Sequence, residues 1–254
     1  SSYCSRRLDE FKEKWLGFWK PILVVVMAIS LVLFEPDLGS SAVIFVVALS
    51  IMFIAGAPLR HLFVIFSLGM SVFILMILTV PWRMKRILSF MNPWDTYQNE
   101  GWQLSHSLIA FGRGDWFGVG LGESLQKLHY LPDAQTDFIF AIIAEEMGLL
   151  FCIFLVALFS FLIFKCFYIG RLARHANYYL GSYIAYGAGI CIALHVFINI
   201  GVSSGMLPTK GITLPFISFG GSNLLLMFAL IALVLRINFE ISESFTNKNK
   251  ILNV

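Results

Sequence analysis

The chain has 254 residues, of which 58% are hydrophobic and 13% are charged, and its formal net charge is +3. About 25% of the residues of an ordinary globular domain are charged, so this composition argues against a soluble protein and indicates an integral membrane protein. No nucleic-acid partner is expected for a chain of this class and charge.

Six apolar stretches have the length of membrane-crossing helices, which need roughly 20 residues. They lie at 15–34, 41–57, 62–80, 138–164, 178–202 and 214–235. Six buried core helices of a soluble protein are the alternative, but almost all of the charges lie in the connections between the stretches. The sequence thus predicts an all-α fold, with about six transmembrane helices in a single polytopic membrane domain over residues 1–254.

The positions of lysine and arginine predict the orientation of the chain. With a cytoplasmic N-terminus, twelve of them face the cytoplasm and six do not. The cytoplasmic set is Arg6, Arg7, Lys12, Lys14, Lys20, Arg60, Lys165, Arg171, Arg174, Arg236, Lys248 and Lys250. The other set is Arg83, Lys85, Arg86, Arg113, Lys127 and Lys210. Because cytoplasmic loops carry an excess of these residues, both ends of the chain are predicted to be cytoplasmic.

The connection 81–137 is much longer than the others and lies on the non-cytoplasmic side. A loop of this length is usually functional or disordered, and its four tryptophans argue against disorder. Apolar residues at 104, 108 and 111 predict a short amphipathic or re-entrant helix over 102–111. Since non-helical backbone at membrane depth must be shielded by protein or by a water-filled cavity, a cavity is expected beside this loop.

Three polar segments share the non-cytoplasmic side: the turn 35–39 with Asp37, the loop end 131–137, and the turn 208–211 with Lys210. Asp137 stands directly before the fourth span. Either Thr136 or Asp137 caps that helix, or Asp137 is a reactive carboxylate, and the residues alone favour neither.

Glu145 and Glu146 lie two turns further into the fourth span, where a charge costs about 2.5–3.5 kcal/mol. Glu145 is within about 80° of Asp137 around the helix axis, so the two carboxylates can share a polar face. A structural contact to an arginine or to backbone is slightly favoured over a direct catalytic part. For His195 and Asn199, spaced i, i+4, hydrogen bonds between helices are favoured over metal binding.

The cluster Arg83, Lys85 and Arg86 is either an interfacial anchor or a receptor for a phosphorylated lipid. The glycine-rich stretch 118–122 is similar to a phosphate loop only superficially, because no strand precedes it, and a tight turn is predicted. The cysteines have no metal-ligand spacing and no disulfide is predicted among them: they are Cys4, Cys152, Cys166 and Cys191.

Taken together, the polar stretches resemble the SEDS family of bacterial cell-wall polymerases. The matching residues are 36–39, 83–86 with 92–94, 103 with 107–110, 116–122, 131–132 with 136–141, 145–146 with 148, 205–211 and 214–222. The stretch 207–211 is similar to the division branch, FtsW, rather than to the elongation branch, RodA. Family members have ten transmembrane helices, and the resemblance implies that this chain holds the last six. Asp133 and Gln135 depart from the family pattern, which has Glu and His there.

The resemblance implies a peptidoglycan glycosyltransferase of septal wall synthesis in the bacterial cytoplasmic (inner) membrane, which polymerises lipid II on the outer side. It implies a class B penicillin-binding protein, other divisome membrane proteins and membrane lipids as partners. Mg²⁺ or Mn²⁺ is the one cofactor it allows, without assigned ligands, and no organic cofactor is expected. A lipid II flippase with Glu145, Glu146 and His195 on its pathway, and a non-catalytic divisome scaffold, are the alternatives.

The resemblance also implies roles for individual residues. Asp137 falls on the essential acidic residue of the large loop, and its expected role is to take the proton of the attacking sugar hydroxyl. Cations are expected to stabilise the lipid pyrophosphate that leaves. The substrate-binding residues are predicted to be Arg83, Lys85, Arg86, Lys210, Asp133, Glu145 and Asp37.

Overall fold

The structure, a computed structural model, describes residue 2, residues 15–35 and residues 37–252, and the side chains within 19–35, 37–128 and 130–243. Several residues used in the predictions lie outside this description: Cys4, Arg6, Arg7, Lys12, Lys14 and Pro36, and the side chains of Lys248 and Lys250.

Every regular element in the described part of the chain is helical, which confirms the predicted all-α fold. The elements are α1 (Trp15–Phe34), α2 (Leu38–Ile54), α3 (Leu59–Leu78), α4 (Pro81–Met91), α5 (Trp102–Gly114), a π-helical turn (Gln126–Tyr130), α6 (Ile139–His175), α7 (Tyr179–Ser203) and α8 (Gly221–Leu252). Helix α5 covers the segment predicted to be a short helix inside the long loop.

Among the residues whose side chains the structure describes, four helices are long and apolar enough to cross a membrane by length and composition: α3, α6, α7 and the part of α8 up to Glu243. Within the same residues, the apolar helices Trp19–Phe34, which is part of α1, and Leu38–Ile54 are shorter. The protein is therefore a membrane protein, while the number of six spans stays a prediction.

The chain forms two compact units, and the first consists of residues 1–68, 161–192 and 226–254. Its core contains two clusters of buried side chains: Ile22, Met52, Ala55, Ala57, Leu62 and Tyr183 in one, and Cys166, Ile169, Ala173, Ala185, Ala188, Val234, Ile237 and Ile241 in the other. The alanines of the second cluster let helices approach closely, as membrane helices do. Two apolar cavities of about 680 and 330 Å³ lie in this unit.

Asp37 belongs to the first unit and caps helix α2. Its Oδ1 accepts a hydrogen bond from the backbone N–H of Ser40 at 3.1 Å, and its carbonyl accepts one from the Ser41 hydroxyl at 2.8 Å. The carboxylate satisfies one of the free N–H groups that every helix N-terminus has. The structure thus gives Asp37 a capping role, and its contact with substrate stays a prediction.

The second unit, residues 69–160 and 193–225, contains the whole long loop. Its buried core is Ala110, Leu131, Ala134, Phe138, Ala141, Ile142 and Val202. Helix α5, the start of α6 and the end of α7 therefore pack around the loop end 131–137. The cavity predicted beside the loop stays a prediction, as does the single membrane domain.

Helix α6 is broken at Gly148, whose φ of 76° and ψ of 179° are not helical. The loop segment 115–120 runs along the break and bonds to it through the backbone. The N–H groups of Val119 and Gly120 donate to the carbonyls of Glu145 and Glu146, both at 3.0 Å, and Leu149 N–H donates to Asp115 O at 2.9 Å. These bonds satisfy the backbone groups that the break frees.

The predicted tight turn at 118–122 is confirmed, since Gly118, Gly120 and Gly122 all have positive φ. A methyl group at Gly118 would also collide with the carbonyl of Glu146, whereas one at Gly122 would meet nothing within 4 Å. We expect Gly122→Ala to cost about 1–2 kcal/mol from φ alone, and Gly118→Ala at least about twice that. Thermal melts of both variants in detergent test this, and equal losses would contradict the close backbone contact.

Candidate functional site

The turn 131–137 places Asp137 at the entrance of α6. The Asp133 carbonyl accepts hydrogen bonds from the N–H groups of Thr136 and Asp137, both at 3.1 Å, and from the Thr136 hydroxyl at 3.2 Å. Asp133 has a φ of 54°, which aspartate tolerates better than most residues. The Thr136 hydroxyl therefore bonds to this turn, the Asp133 side chain is exposed, and the Asp137 side chain is half-buried.

Asn199 of α7 ties the turn to a second segment. Its side chain is 1% exposed, and Nδ2 donates to the carbonyls of Asp137 at 2.9 Å and Ile212 at 2.7 Å. The sequence favoured hydrogen bonds between helices for Asn199, and the structure gives it hydrogen bonds, but both partners lie in non-helical segments. Because one amide group bonds to both carbonyls, Asn199 determines how far apart the two segments lie at Asp137.

Residues 212–220 form a non-helical clasp on the same turn. The Ser218 hydroxyl donates to Thr136 O at 2.6 Å, and Phe219 N–H donates to Gln135 O at 2.9 Å. Helix α8 begins only at Gly221, whereas the sequence predicted a span from 214. Pro215 and the glycine pair 220–221 were the available signals, because proline and glycine disfavour helix interiors.

The turn 208–211 lies against the Asp137 carboxylate. A methyl group at Gly211 would stand 3.0 Å from Asp137 Oδ2, so the missing side chain leaves the carboxylate its space. Lys210 is the neighbouring residue and is half-buried. The structure thus brings together the loop end 131–137, which carries Asp137, and the turn 208–211, which carries Lys210. These are two of the three polar segments predicted to share the non-cytoplasmic side.

The three basic residues of α4 do not all contact one common group. Arg83 Nη1 donates to the Met76 carbonyl at 3.0 Å, and Lys85 Nζ lies 3.8 Å from a carboxylate oxygen of Glu100. The guanidinium groups of Arg83 and Arg86 lie 5.2 and 5.3 Å from the Trp82 ring centre. Arg83 therefore has a structural contact at the end of α3, and phosphate binding by the three residues stays a prediction.

Glu145 is fully buried, and its carboxylate holds the part of the long loop around residues 113–126 against α6. Its carboxylate accepts hydrogen bonds from Arg113 Nη1 at 2.8 Å, the Ser124 hydroxyl, and the backbone N–H groups of Leu125 and Gln126. Lys127 Nζ lies 2.6 Å from the Glu146 carboxylate. These are the contacts to arginine and backbone that the sequence favoured for this position, and substrate contact by Glu145 stays a prediction.

Asn199 and Ser218 are the site residues that sequence reasoning missed or undervalued. Both act through backbone carbonyls, so neither belongs to a recognisable cluster of reactive groups. Among the described residues, no three His, Cys, Asp or Glu side chains lie together in a way that could hold a metal ion. The described side chains therefore do not fit a metal site of three protein ligands, and no step of the proposed reaction passes through a metal ion.

The family model described as a cell cycle protein, which groups FtsW, RodA and SpoVE, matches residues 1–243. The chain belongs to this family. A probable peptidoglycan glycosyltransferase FtsW of Saccharophagus degradans is 47% identical over 243 residues, which are 96% of this chain and 63% of the relative. The FtsW of Coxiella burnetii is 47% identical over 240 residues, 94% of this chain and 64% of that one. The chain thus spans about three fifths of the length of these relatives.

Two solved structures share the fold. One, described as "Structural coordination of polymerization and crosslinking by a peptidoglycan synthase complex", has a TM-score of 0.73 and 23% identity and covers 94% of this chain and 67% of that one. Thermus thermophilus RodA has a TM-score of 0.61 and 24% identity, with 93% and 61% coverage. The family model and the relatives confirm the resemblance to the SEDS family, and the two structures support the all-α membrane fold.

Proposed function

We propose that the protein acts as a peptidoglycan glycosyltransferase that polymerises lipid II into glycan strands during septal wall synthesis. The observation that carries the proposal is the Asp137 carboxylate, held between the turn 131–137 and the segment 208–212 in a chain of this family. The curated relatives are named as probable enzymes of this kind.

The reaction forms a glycosidic bond between a hydroxyl oxygen of one sugar and the anomeric carbon of the other. A hydroxyl oxygen of the acceptor sugar attacks the anomeric carbon of the donor and gives its proton to the Asp137 carboxylate. The bond from that carbon to the lipid pyrophosphate breaks, and the pyrophosphate keeps the electron pair. A positioned base of this kind is typically worth about 10² to 10⁴ in rate.

The leaving pyrophosphate gains negative charge as its bond breaks, and nearby cations stabilise such charge. Lys210 is the first candidate, because its neighbour Gly211 lies beside the Asp137 carboxylate. Lys85, with a side chain 65% exposed, and Arg86 of α4 are candidates for binding the incoming headgroup. Among the three basic residues of α4, Arg83 is the weakest candidate for binding the headgroup, because its guanidinium group already donates to the Met76 carbonyl.

We place the protein in the bacterial cytoplasmic membrane at the division septum, with both ends of the chain cytoplasmic. A class B penicillin-binding protein is the proposed partner, together with other divisome membrane proteins. Support comes from the structural neighbour, which is described as a complex that coordinates polymerization and crosslinking.

Gel analysis of glycan products made from purified lipid II tests the function. The samples are this chain, this chain extended by the part of the Saccharophagus relative that it does not match, and Asp137→Ala in both. Polymer that disappears with Asp137→Ala supports the proposal. If no sample makes polymer, vesicle assays of headgroup translocation would favour a flippase, and capture of the penicillin-binding protein alone would favour a scaffold.

The clamp made by Asn199 predicts a kinetic effect. Asn199→Ala leaves the Asp137 and Ile212 carbonyls without their buried donor, so the carboxylate shifts relative to the segment 208–212. We expect kcat to fall roughly 10- to 100-fold with little change in KM, since a misplacement of about 1 Å can cost 10² in rate. The measurement is lipid II turnover per folded protein over a range of lipid II concentrations.

Asn223→Ala is the matched control for Asn199→Ala. The Asn223 amide donates to the Thr213 hydroxyl at 2.6 Å, so its loss weakens the same clasp without freeing Asp137. Asn199→Asp keeps the size of the side chain but replaces the N–H donor with a carboxylate oxygen. Its kcat should therefore fall as far as that of Asn199→Ala. A positioning role for Asn199 is refuted if its variants fold less well but turn over normally per folded molecule.

A further inference from the structure

Five aromatic rings form a continuous row in the long loop, which we call the aromatic wall: Trp94, Tyr97, Trp102, His106 and Tyr130. Successive ring centres are 6.4 Å apart for Trp94 and Tyr97, 5.3 Å for Tyr97 and Trp102, 4.2 Å for Trp102 and His106, and 6.2 Å for His106 and Tyr130. The row has no part in the chemistry at Asp137.

Hydrogen bonds hold the three inner rings of the wall in place. The Tyr97 hydroxyl lies 3.0 Å from His106 Nε2, and His106 Nδ1 lies 2.8 Å from Gln126 Oε1. Since Gln126 Oε1 can only accept, Nδ1 carries the hydrogen and Nε2 accepts from the tyrosine. Trp102 Nε1 donates to the Tyr130 carbonyl at 2.7 Å. The rings of Tyr97, Trp102 and His106 are therefore pre-organised, which reduces the entropy lost when a ligand binds to the wall.

The surroundings of the wall are polar. Its two ends, Trp94 and Tyr130, are 53% and 51% exposed. Between positions 92 and 101 every residue other than Pro93, Trp94 and Tyr97 is polar or glycine, and the exposed ones include Asn92, Asp95, Gln98, Asn99 and Glu100. This segment carries two carboxylates, and that of Glu100 lies 3.8 Å from the Lys85 ammonium group.

A different part of the loop has the composition of a membrane-facing surface. Phe117, Leu121 and Leu128 are 81%, 76% and 64% exposed and lie in a segment rich in apolar side chains. Large exposed apolar side chains mark contact with lipid or protein. The wall, with hydrogen-bonded rings among amides and carboxylates, has the chemistry of a site for a polar ligand with apolar faces.

We propose that the aromatic wall is a carbohydrate-binding subsite for the N-acetylated hexosamines of the glycan strand. Pyranose rings present C–H faces that pack on aromatic rings, while their hydroxyl and acetamido groups bond to amide and carboxylate side chains. The identity of the sugar rests on the proposed function. The wall is also connected to the proposed catalytic centre, because Tyr130 is followed directly by the turn 131–137.

The sequence limits the distance from the wall to Asp137. Tyr130 lies seven positions before Asp137, so their Cα atoms are at most about 25 Å apart even in a fully extended chain. A strand bound on the wall can therefore reach the Asp137 carboxylate with its end. The subsite would hold the strand between successive additions of sugar.

The test is direct binding of a lipid-free tetrasaccharide of alternating N-acetylglucosamine and N-acetylmuramic acid to the whole protein in nanodiscs, followed by saturation-transfer NMR. Trp94→Ala should weaken binding about threefold to tenfold, the usual worth of one aromatic packing contact. Trp94→Phe, which keeps an aromatic face, should recover most of the affinity.

Trp116→Ala is the matched control, because Trp116 lies in the same loop, is 54% exposed and is not part of the wall. Its binding should be unchanged. Absence of tetrasaccharide binding to the unsubstituted protein, or equal loss in both alanine variants, would overturn the subsite. Binding requires no turnover, so a failed polymerisation assay with intact binding would reject the proposed function and leave the subsite standing.

Quenching of tryptophan fluorescence by brominated lipids tests whether the wall is a carbohydrate subsite in water or a membrane anchor. If Trp94 lies in water, Trp94→Ala should leave the quenchable fraction of the fluorescence nearly unchanged, whereas Trp116→Ala should lower it. A fall in Trp94→Ala as large as that in Trp116→Ala would place the wall in the bilayer and would overturn the proposal.

Discussion

Asp137→Ala should lower glycan polymerisation by about 10² to 10⁴, the contribution of a positioned general base. Asp137→Asn should lose nearly as much, since an amide cannot take the proton of the attacking hydroxyl. The hydrogen bond from Asn199 reaches the backbone carbonyl of residue 137, so both variants keep it and the turn should stay folded. The measurement is the initial rate of polymer formation from lipid II on gels.

Glu123→Gln is the control for loss of a carboxylate in the same loop. Glu123 is exposed, so its replacement should leave the rate within about twofold. Asp133→Asn tests the second acidic residue of the turn, because asparagine also tolerates a positive φ. Polymerisation at the full rate by folded Asp137→Ala would refute the role of Asp137 as base.

Glu145→Ala should cause a large loss of stability. It removes a fully buried carboxylate and leaves Arg113, the Ser124 hydroxyl and two backbone N–H groups without their acceptor. Arg113 is 37% exposed and can be partly hydrated, so we expect a loss of about 2–4 kcal/mol. This corresponds to a melting temperature lower by roughly 5–15 °C in detergent.

Glu240→Ala is the matched control, because Glu240 also pairs with an arginine, Arg236, at 2.9 Å. That pair is exposed and spaced i, i+4, so its loss should cost less than about 1 kcal/mol. If the two variants melt at the same temperature, Glu145 does not fasten the loop to α6. Limited proteolysis adds a second readout, since Glu145→Ala should speed cleavage within residues 113–127.

Sequence reasoning was most accurate where one local pattern determines the structure. Long apolar runs predicted α6 and α7 to within a residue at their starts, because a bilayer requires continuous apolar helices. The period of apolar residues predicted α5, and the three glycines predicted the turn at 118–122. Asp137 was proposed as the catalytic carboxylate from a motif whose residues are close together in the chain, and this role stays a prediction.

Contacts between distant residues were beyond such reasoning. The segment 214–220 was predicted as helix because it is apolar, but hydropathy says nothing about where backbone N–H groups bond, and here Phe219 N–H bonds to Gln135. The sequence did not predict the break of α6 at Gly148 for the same reason. The loop segment whose backbone bonds to the break lies about thirty residues earlier in the chain.

By itself, the sequence determined the membrane class, most of the long apolar helices and the candidate catalytic carboxylate, because each depends on composition or on neighbouring residues. The tertiary structure alone decided that Asn199 clamps the backbone of Asp137, that Glu145 is a buried anchor for the loop, and that five aromatic rings form one wall. The physical reason is that a buried polar group must find its partner in space, and that partner can come from any part of the chain.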